Sequence, residues 1–158
     1  VTDVGLLLEP VNLEKYEGIR VNPREEWVAA MAPDSPLAQK EAVTAADLKD
    51  VPLILPQRVT PESPIARWFG EAYSQVLATS NLPSTTLVMV RHKLAYSLHI
   101  KGSIALWDQS KVTYRPLSPA LPDTSTMLAW KRGQPFSPAV EKFIQHARAW
   151  FAQEEAMP

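Results

Sequence analysis

The sequence predicts an α/β protein with a mainly parallel sheet, and three observations carry that expectation. Short apolar runs of strand length alternate along the chain with stretches whose apolar residues recur at helical spacing. The run Leu6-Leu7-Leu8 is continuous and not alternating, which is the pattern of a strand covered on both faces, as in a parallel sheet. The chain has 15 prolines against 5 glycines, and the prolines fall at the edges of those segments, so they punctuate elements and do not form a linker.

Taken in order, the first strand is Asp3 to Leu8, closed by Glu9-Pro10. A strand of this type needs neighbours and covering helices, so the chain is expected to be the later part of a longer protein. A loop with a short turn at Leu13 to Gly18 leads to Arg20–Arg24, and Glu25 to Ala32 reads as the second strand. Asp34 to Ala38 is a turn. Thr44-Ala45-Ala46-Asp47 resembles a capping box and opens a helix of one or two turns. Val51 to Leu55 is a core strand, with Pro52 at its first residues. The next helix has two candidate starts, Thr60-Pro61 and Ser63-Pro64, each a capping hydroxyl followed by proline. Its apolar face is Ile65, Trp68, Phe69, Ala72 and Val76, and it is expected to end near Leu77.

Thr79 to Ile100 is the organising stretch: a polar loop, a helix start, a short helix, then a strand, and Pro83 cannot continue a helix backwards. Ser84, Thr85 and Thr86 carry hydroxyls able to accept hydrogen bonds from the amides of a first helical turn. Leu87, Val90, Arg91 and Leu94 follow at helical spacing, and Leu98 and Ile100 alternate with His99 as in a strand. A helix opening beside a strand end offers free N–H groups and a partial positive charge to a small anion. An ordinary capped helix has the same residues, and both readings stay open at this point. Lys101 to Lys111 reads as loop, Val112 to Arg115 and Thr126 to Lys131 as strands. Ser137-Pro138 caps a last helix with Val140, Phe143, Ile144, Ala147 and Phe151 on its apolar face.

The 158 residues suit one domain or one and a half small lobes, and 46% apolar with 21% charged is the composition of a globular chain. A net charge of −1 gives no electrostatic reason for this segment to bind nucleic acid or an anionic membrane. The absence of cysteine excludes disulfides and thiolate metal sites and fits a reducing compartment. No apolar run is long enough to span a bilayer. Phosphate loops, dinucleotide fingerprints, HExxH and GxSxG are all missing. His92, His99 and His146 have no metal-ligand spacing; His99 is read as alternating outward from its strand and His146 as lying on the polar side of the last helix. No catalytic residue, metal or cofactor is called for. Gln57 and Arg58, just past the strand ending at Leu55, suit binding better than catalysis, because arginine offers a fixed fork of donors to a carboxylate.

In this order and spacing, several segments resemble the C-terminal effector-binding domain of LysR-type transcriptional regulators. They are Asp3-Val4-Gly5-Leu6-Leu7-Leu8-Glu9-Pro10, Asp34-Ser35-Pro36-Leu37-Ala38, Val43 to Leu48 before Pro52 to Leu55, and Trp68-Phe69-Gly70-Glu71. The helix start from Asn81 to Val90, Tyr114-Arg115-Pro116-Leu117, Ala129-Trp130-Lys131 and Phe136 to Phe143 continue the match.

The resemblance implies two α/β lobes of the type 2 periplasmic-binding-protein architecture, the first incomplete. Residues 1–31 and 126–158 would form lobe one and 32–125 lobe two. It implies a cytoplasmic regulator, not an enzyme, that binds a small-molecule effector, an organic anion or amino acid, between its lobes. DNA would be bound only through a winged helix-turn-helix preceding this segment, and homodimers are implied. The implied ligand residues are Glu9 and Pro10 after the first strand, Gln57 and Arg58 after the lobe-two strand, and Ser80, Asn81, Ser84, Thr85 and Thr86 at the helix opening. A transport-type solute-binding fragment has the same lobes and is the alternative. One departure stands out: relatives have glycines in the turn after this helix, where Arg91-His92-Lys93-Leu94-Ala95 stands here. Left-handed backbone would be costly at these residues.

Overall fold

A computed structural model describes residues 2–57, 59–70, 73 and 76–155. The chain divides into two compact units, Val1–Glu25 with Thr124–Pro158, and Glu26–Asp123. The α/β class follows the expected alternation, but the sheets are mixed.

In the first unit, β1 (Val4–Leu8), β2 (Tyr16–Glu25) and β8 (Thr124–Lys131) form an antiparallel sheet in the order β1-β8-β2. The register pairs Leu6 with Leu128 and Ile19 with Leu128, so β8 is the centre strand. β2 replaces the expected loop and turn. Its sequence, YEGIRVNPRE, is polar and contains a proline, which hides a strand whose pairing shifts register between Arg20 and Asn22 and again before Glu25. Gly18 is required there: a Cβ would lie 2.6 Å from the carbonyl oxygen of Leu128. The expectation that β1 is covered on both faces fails at Leu6, which is 66% exposed.

The last helix, α4 (Pro138–Glu155), starts as expected at Ser137, whose Oγ accepts from the Val140 amide at 3.4 Å. Ile144 and Ala147 are its buried residues, while Phe143, expected inside, is 51% exposed. The Arg148 guanidinium lies 5.1 Å from the Trp130 ring centre, a cation–π contact with β8.

The second unit holds a five-stranded sheet in the order β5-β4-β6-β3-β7: β3 (Trp27–Met31), β4 (Leu53–Pro56), β5 (Val76–Ser80), β6 (Tyr96–Ile100) and β7 (Thr113–Pro116). Only β5-β4-β6 is parallel; β3 runs antiparallel to both β6 and β7. The expected mainly parallel sheet is therefore confined to this segment, because β3 enters from the other unit without a helical crossover. β3 also belongs to this sheet, so the division falls at 25/26 and 123/124 and not at 31/32 and 125/126.

β3 is apolar throughout because both its faces are covered. Ala29 and Met31 join Leu53, Leu55, Leu98 and Phe69 on one side; Val28 and Ala30 join Leu87, Val90, Ile104 and Val112 on the other. The covering helices are α1 (Pro64–Phe69), α2 (Pro83–Arg91) and α3 (Lys101–Ala105).

Of the two candidate starts for α1, Ser63-Pro64 is used: Ser63 Oγ accepts from the Ala66 amide at 3.1 Å. The helix stops at Phe69 and not near Leu77, because Gly70 turns left-handed at φ +54°. Val76 and Leu77 are strand; Glu71 and Ala72 lie outside the described residues. α3 occupies part of the expected loop and buries Ile104. The capping box at Thr44 forms as read, with the Thr44 amide donating to Asp47 Oδ2 at 2.9 Å and the Asp47 amide to Thr44 Oγ1 at 3.3 Å, around a 3-10 turn at Ala46–Leu48.

Candidate functional site

The parallel strands β4 and β5 end side by side. Pro56 is in register with Ser80, and the Gln57 amide continues the ladder by donating to the Ser80 carbonyl at 2.8 Å. Beyond them the chain turns at once into α2. Ser80 Oγ accepts from the Leu82 amide and donates to its carbonyl, each at 3.2 Å, which fixes the turn through Asn81. Ligands of open α/β sheets bind at this place, past the carboxyl ends of parallel strands and against helix openings.

The opening differs from the expected capped start. Leu82 is the residue before the helix, Pro83 occupies the first helical position, and no side chain caps the end. Proline is suited to that position because its φ is fixed and it has no N–H to leave unpaired. The helix thus begins earlier than the hydroxyl-bearing residues, which fall within its first turns and cannot fold back onto the amides. Thr86 instead donates its hydroxyl to the Leu82 carbonyl at 3.3 Å, its amide does the same at 3.3 Å, and its side chain is buried. The amides of Ser84 and Thr85 are left, and among the described residues they make no hydrogen bond. Both residues are exposed, as are Gln57 and Asn81. Two free N–H groups, the positive end of α2 and two hydroxyls therefore gather at one exposed spot, which suits an anionic group.

Gln57, Ser80, Asn81, Ser84, Thr85 and Thr86 are brought together, although Thr86 has its hydroxyl engaged. Arg58 lies outside the described residues. Glu9 and Pro10 belong to the first unit, where the Glu9 carboxylate holds Arg20 by two hydrogen bonds, at 2.9 and 3.3 Å. The Glu9 carbonyl accepts from Thr124 Oγ1 at 3.2 Å.

His99 was expected to face outward and is instead buried, with 6% of its surface exposed. Burial alone pushes its pKa from 6.5 down to about 4, so it is neutral at pH 7. Its Nε2 and the Oγ of Ser97 are buried without a hydrogen-bond partner among the described residues. Residue type gave no signal of this burial, because Tyr96 to Ile100 alternates as a half-exposed strand would. The unusual turn after α2 is also resolved: Lys93 adopts φ +61°. Its amide donates to the Val90 carbonyl at 2.9 Å and the Leu94 amide to that of Met89 at 3.0 Å, closing the helix end, while Lys93 Nζ binds Asp34. That ammonium, first through its hydrogen bond, lowers the Asp34 pKa. Among the described residues no group of three or more His, Asp or Glu could hold a metal ion, and no helix is long and apolar enough to cross a membrane.

Residues 2–152 match the family described as LysR substrate binding domain. The chain is 30% identical over 148 residues to the Hca operon transcriptional activator HcaR of Escherichia coli K12, covering 90% of this chain and 49% of that protein. It therefore spans about half the length of the curated relative. Among solved structures, the effector binding domain of QuiR in complex with shikimate superposes with a TM-score of 0.69 at 18% identity, covering 93% of this chain and 72% of that one. The regulatory domain of Synechocystis PCC6803 CcmR in complex with 2-PG gives 0.67 at 13% identity over 93% and 72%. The fold, the order of its elements and the match over residues 2–152 place this chain in the LysR substrate binding domain family.

Proposed function

We propose that this chain is the effector-sensing part of a cytoplasmic LysR-type transcriptional regulator. It takes a small organic anion at the opening of α2 and transmits occupancy to a DNA-binding domain carried elsewhere in the full-length, homodimeric protein. No catalytic step is involved. The single observation that carries the reading is the pair of unengaged amides of Ser84 and Thr85 at the carboxyl ends of β4 and β5. The family supports it, as does the relative HcaR, a transcriptional activator. Shikimate in QuiR and 2-PG in CcmR give small effectors for comparison.

Gln57, Ser80, Asn81 and the hydroxyls of Ser84 and Thr85 line the opening in this proposal. Arg58, Glu9 and Pro10 enter it through the family resemblance. The solute-transport alternative has nothing in the comparisons to favour it. Ligand control requires unequal affinity for two arrangements of the protein.

Thr85→Asp tests the site. A carboxylate in the first turn interacts favourably with the positive end of the helix dipole, so the variant is expected to melt at the same or a higher temperature than wild type. It fills the anion site at the same time. Wild type, screened against small carboxylates including shikimate, is expected to gain about 2.7 kcal/mol at a hundredfold excess over Kd, a shift of several degrees. The variant should show none. A ligand shift that survives Thr85→Asp would place the site elsewhere.

A further inference from the structure

Ser97 Oγ and His99 Nε2 are the two buried side-chain polar atoms without a partner among the described residues. They stand two residues apart on one face of β6, Ser97 opposite Ala30 and His99 opposite Val28. Val28 and Ala30 pack against Leu87 and Val90 of α2, so this is the face that α2 covers. β6 runs parallel to β4, and β4 parallel to β5. His99, next to last in β6, therefore lies at the same sheet end from which α2 starts. An aliphatic residue would fill this position with no hydrogen bond lost. An imidazole left unpaired there is destabilising unless something pairs with it. The other buried polar side chain near the helix opening, Thr86, is already bonded to Leu82.

We infer that His99 is a specificity-setting contact for the effector, its Nε2 exchanging a hydrogen bond with a hydroxyl or carbonyl oxygen of an organic acid whose carboxylate sits on the Ser84 and Thr85 amides. This rests on the anion reading of the α2 opening. A neutral imidazole carries one donor and one acceptor nitrogen and suits an uncharged oxygen, not a second carboxylate. β6 lies two strand positions from β5, roughly 10 Å, so the acid is ring-sized and not acetate-sized. Nε2 is closed to water in the free protein. The effector reaches it only if the cover of this face, to which Leu87 and Val90 of α2 contribute, moves, which couples recognition to that movement.

Calorimetric titration of the 158-residue protein with benzoate, 3- and 4-hydroxybenzoate, cyclohexanecarboxylate and 3-hydroxycyclohexanecarboxylate tests the assignment. Wild type is expected to prefer one hydroxylated acid over its parent by about tenfold or more, because a buried polar group left unpaired by the parent discriminates against it. His99→Leu removes an unpaired polar atom, so it should fold with an unchanged or raised melting temperature, bind the parent acid as wild type does, and lose the preference. His99→Gln, which keeps a donor and an acceptor, should retain part of it. Preference that persists in His99→Leu, or parent acids bound as well as hydroxylated ones by wild type, overturns this inference and leaves the anion site standing. Failure of every carboxylate to bind wild type overturns the anion site itself, and this inference with it.

Discussion

Lys93 holds a left-handed backbone, φ +61°, at the turn where glycine was the expected solution. For a side chain of this kind the conformation is strained by about 1–2 kcal/mol. The turn forms regardless, because two backbone hydrogen bonds close the helix end around it. Lys93→Gly should relieve the strain but lose the Asp34 contact, as alanine does, and about 0.5–1 kcal/mol to the greater freedom of an unfolded glycine. The expected net gain is about 0.5–1 kcal/mol, or roughly 1–4 °C in Tm. Lys93→Ala, which loses the Asp34 contact and keeps the strain, should show no such rise. His99 gives the second prediction at this scale. Unfolded, it takes a proton near pH 6.5; folded, it resists until about 4. The unfolded state thus binds more protons between these values, so stability is complete above 6.5 and falls as pH drops. The slope is about 1.4 kcal/mol per pH unit, approaching 3 kcal/mol at pH 4. Urea midpoints from pH 7.5 to 4.5 should show that slope in wild type and a shallower one in His99→Leu. Asp47, held near a pKa of about 2 first by Lys40 and then by the Thr44 amide, acts in a separate window. Its contribution is present above pH 3.8 and disappears as pH falls through 2. Neither the Lys93 conformation nor the burial of His99 was legible from residue type, since both are imposed by what packs around them.

At the scale of elements, the sequence revealed those whose pattern is set locally. Ser63-Pro64, Ser137-Pro138 and the Thr44–Asp47 box formed as read because a cap and its amides lie within four residues of each other. β3, β4, β6 and β8 were evident as apolar runs. β2 and β5 were not: β2 is polar and contains a proline, and Val76 continues the helical spacing of the α1 face, so both strands are set by their pairing with β8 and β4. For the site, the sequence identified the residues around the α2 opening and the amides it offers, but expected the hydroxyls of Ser84, Thr85 and Thr86 to cap those amides, whereas the helix starts at Pro83 after Leu82 and no side chain caps it. β2 also carries a test of its pairing. Gly18→Ala places a methyl group 2.6 Å from the Leu128 carbonyl, a backbone atom that cannot rotate away. Loss of about 2 kcal/mol is expected, as for other overpacked sites, measured as a lowered urea midpoint. An unchanged midpoint would mean that β2 and β8 are further apart than described.

For the whole molecule, both large clusters of buried apolar side chains lie within Glu26–Asp123, an unbroken segment. That segment is expected to fold by itself. Expressed alone as residues 26–123, it should show a cooperative thermal transition and dispersed amide NMR resonances. A molten profile would show that it depends on the remainder. The first unit has no such independence, because its centre strand β8 begins at Thr124 while the strands it joins end by Glu25. Within this segment β1 and β2 are synthesised before β8, the strand with which each of them pairs, so those two ladders close only after Glu26–Asp123 has left the ribosome. The speed with which translation reaches β8 therefore sets how long Leu6, Leu7 and Leu8 wait for Leu128, Met127 and Thr126.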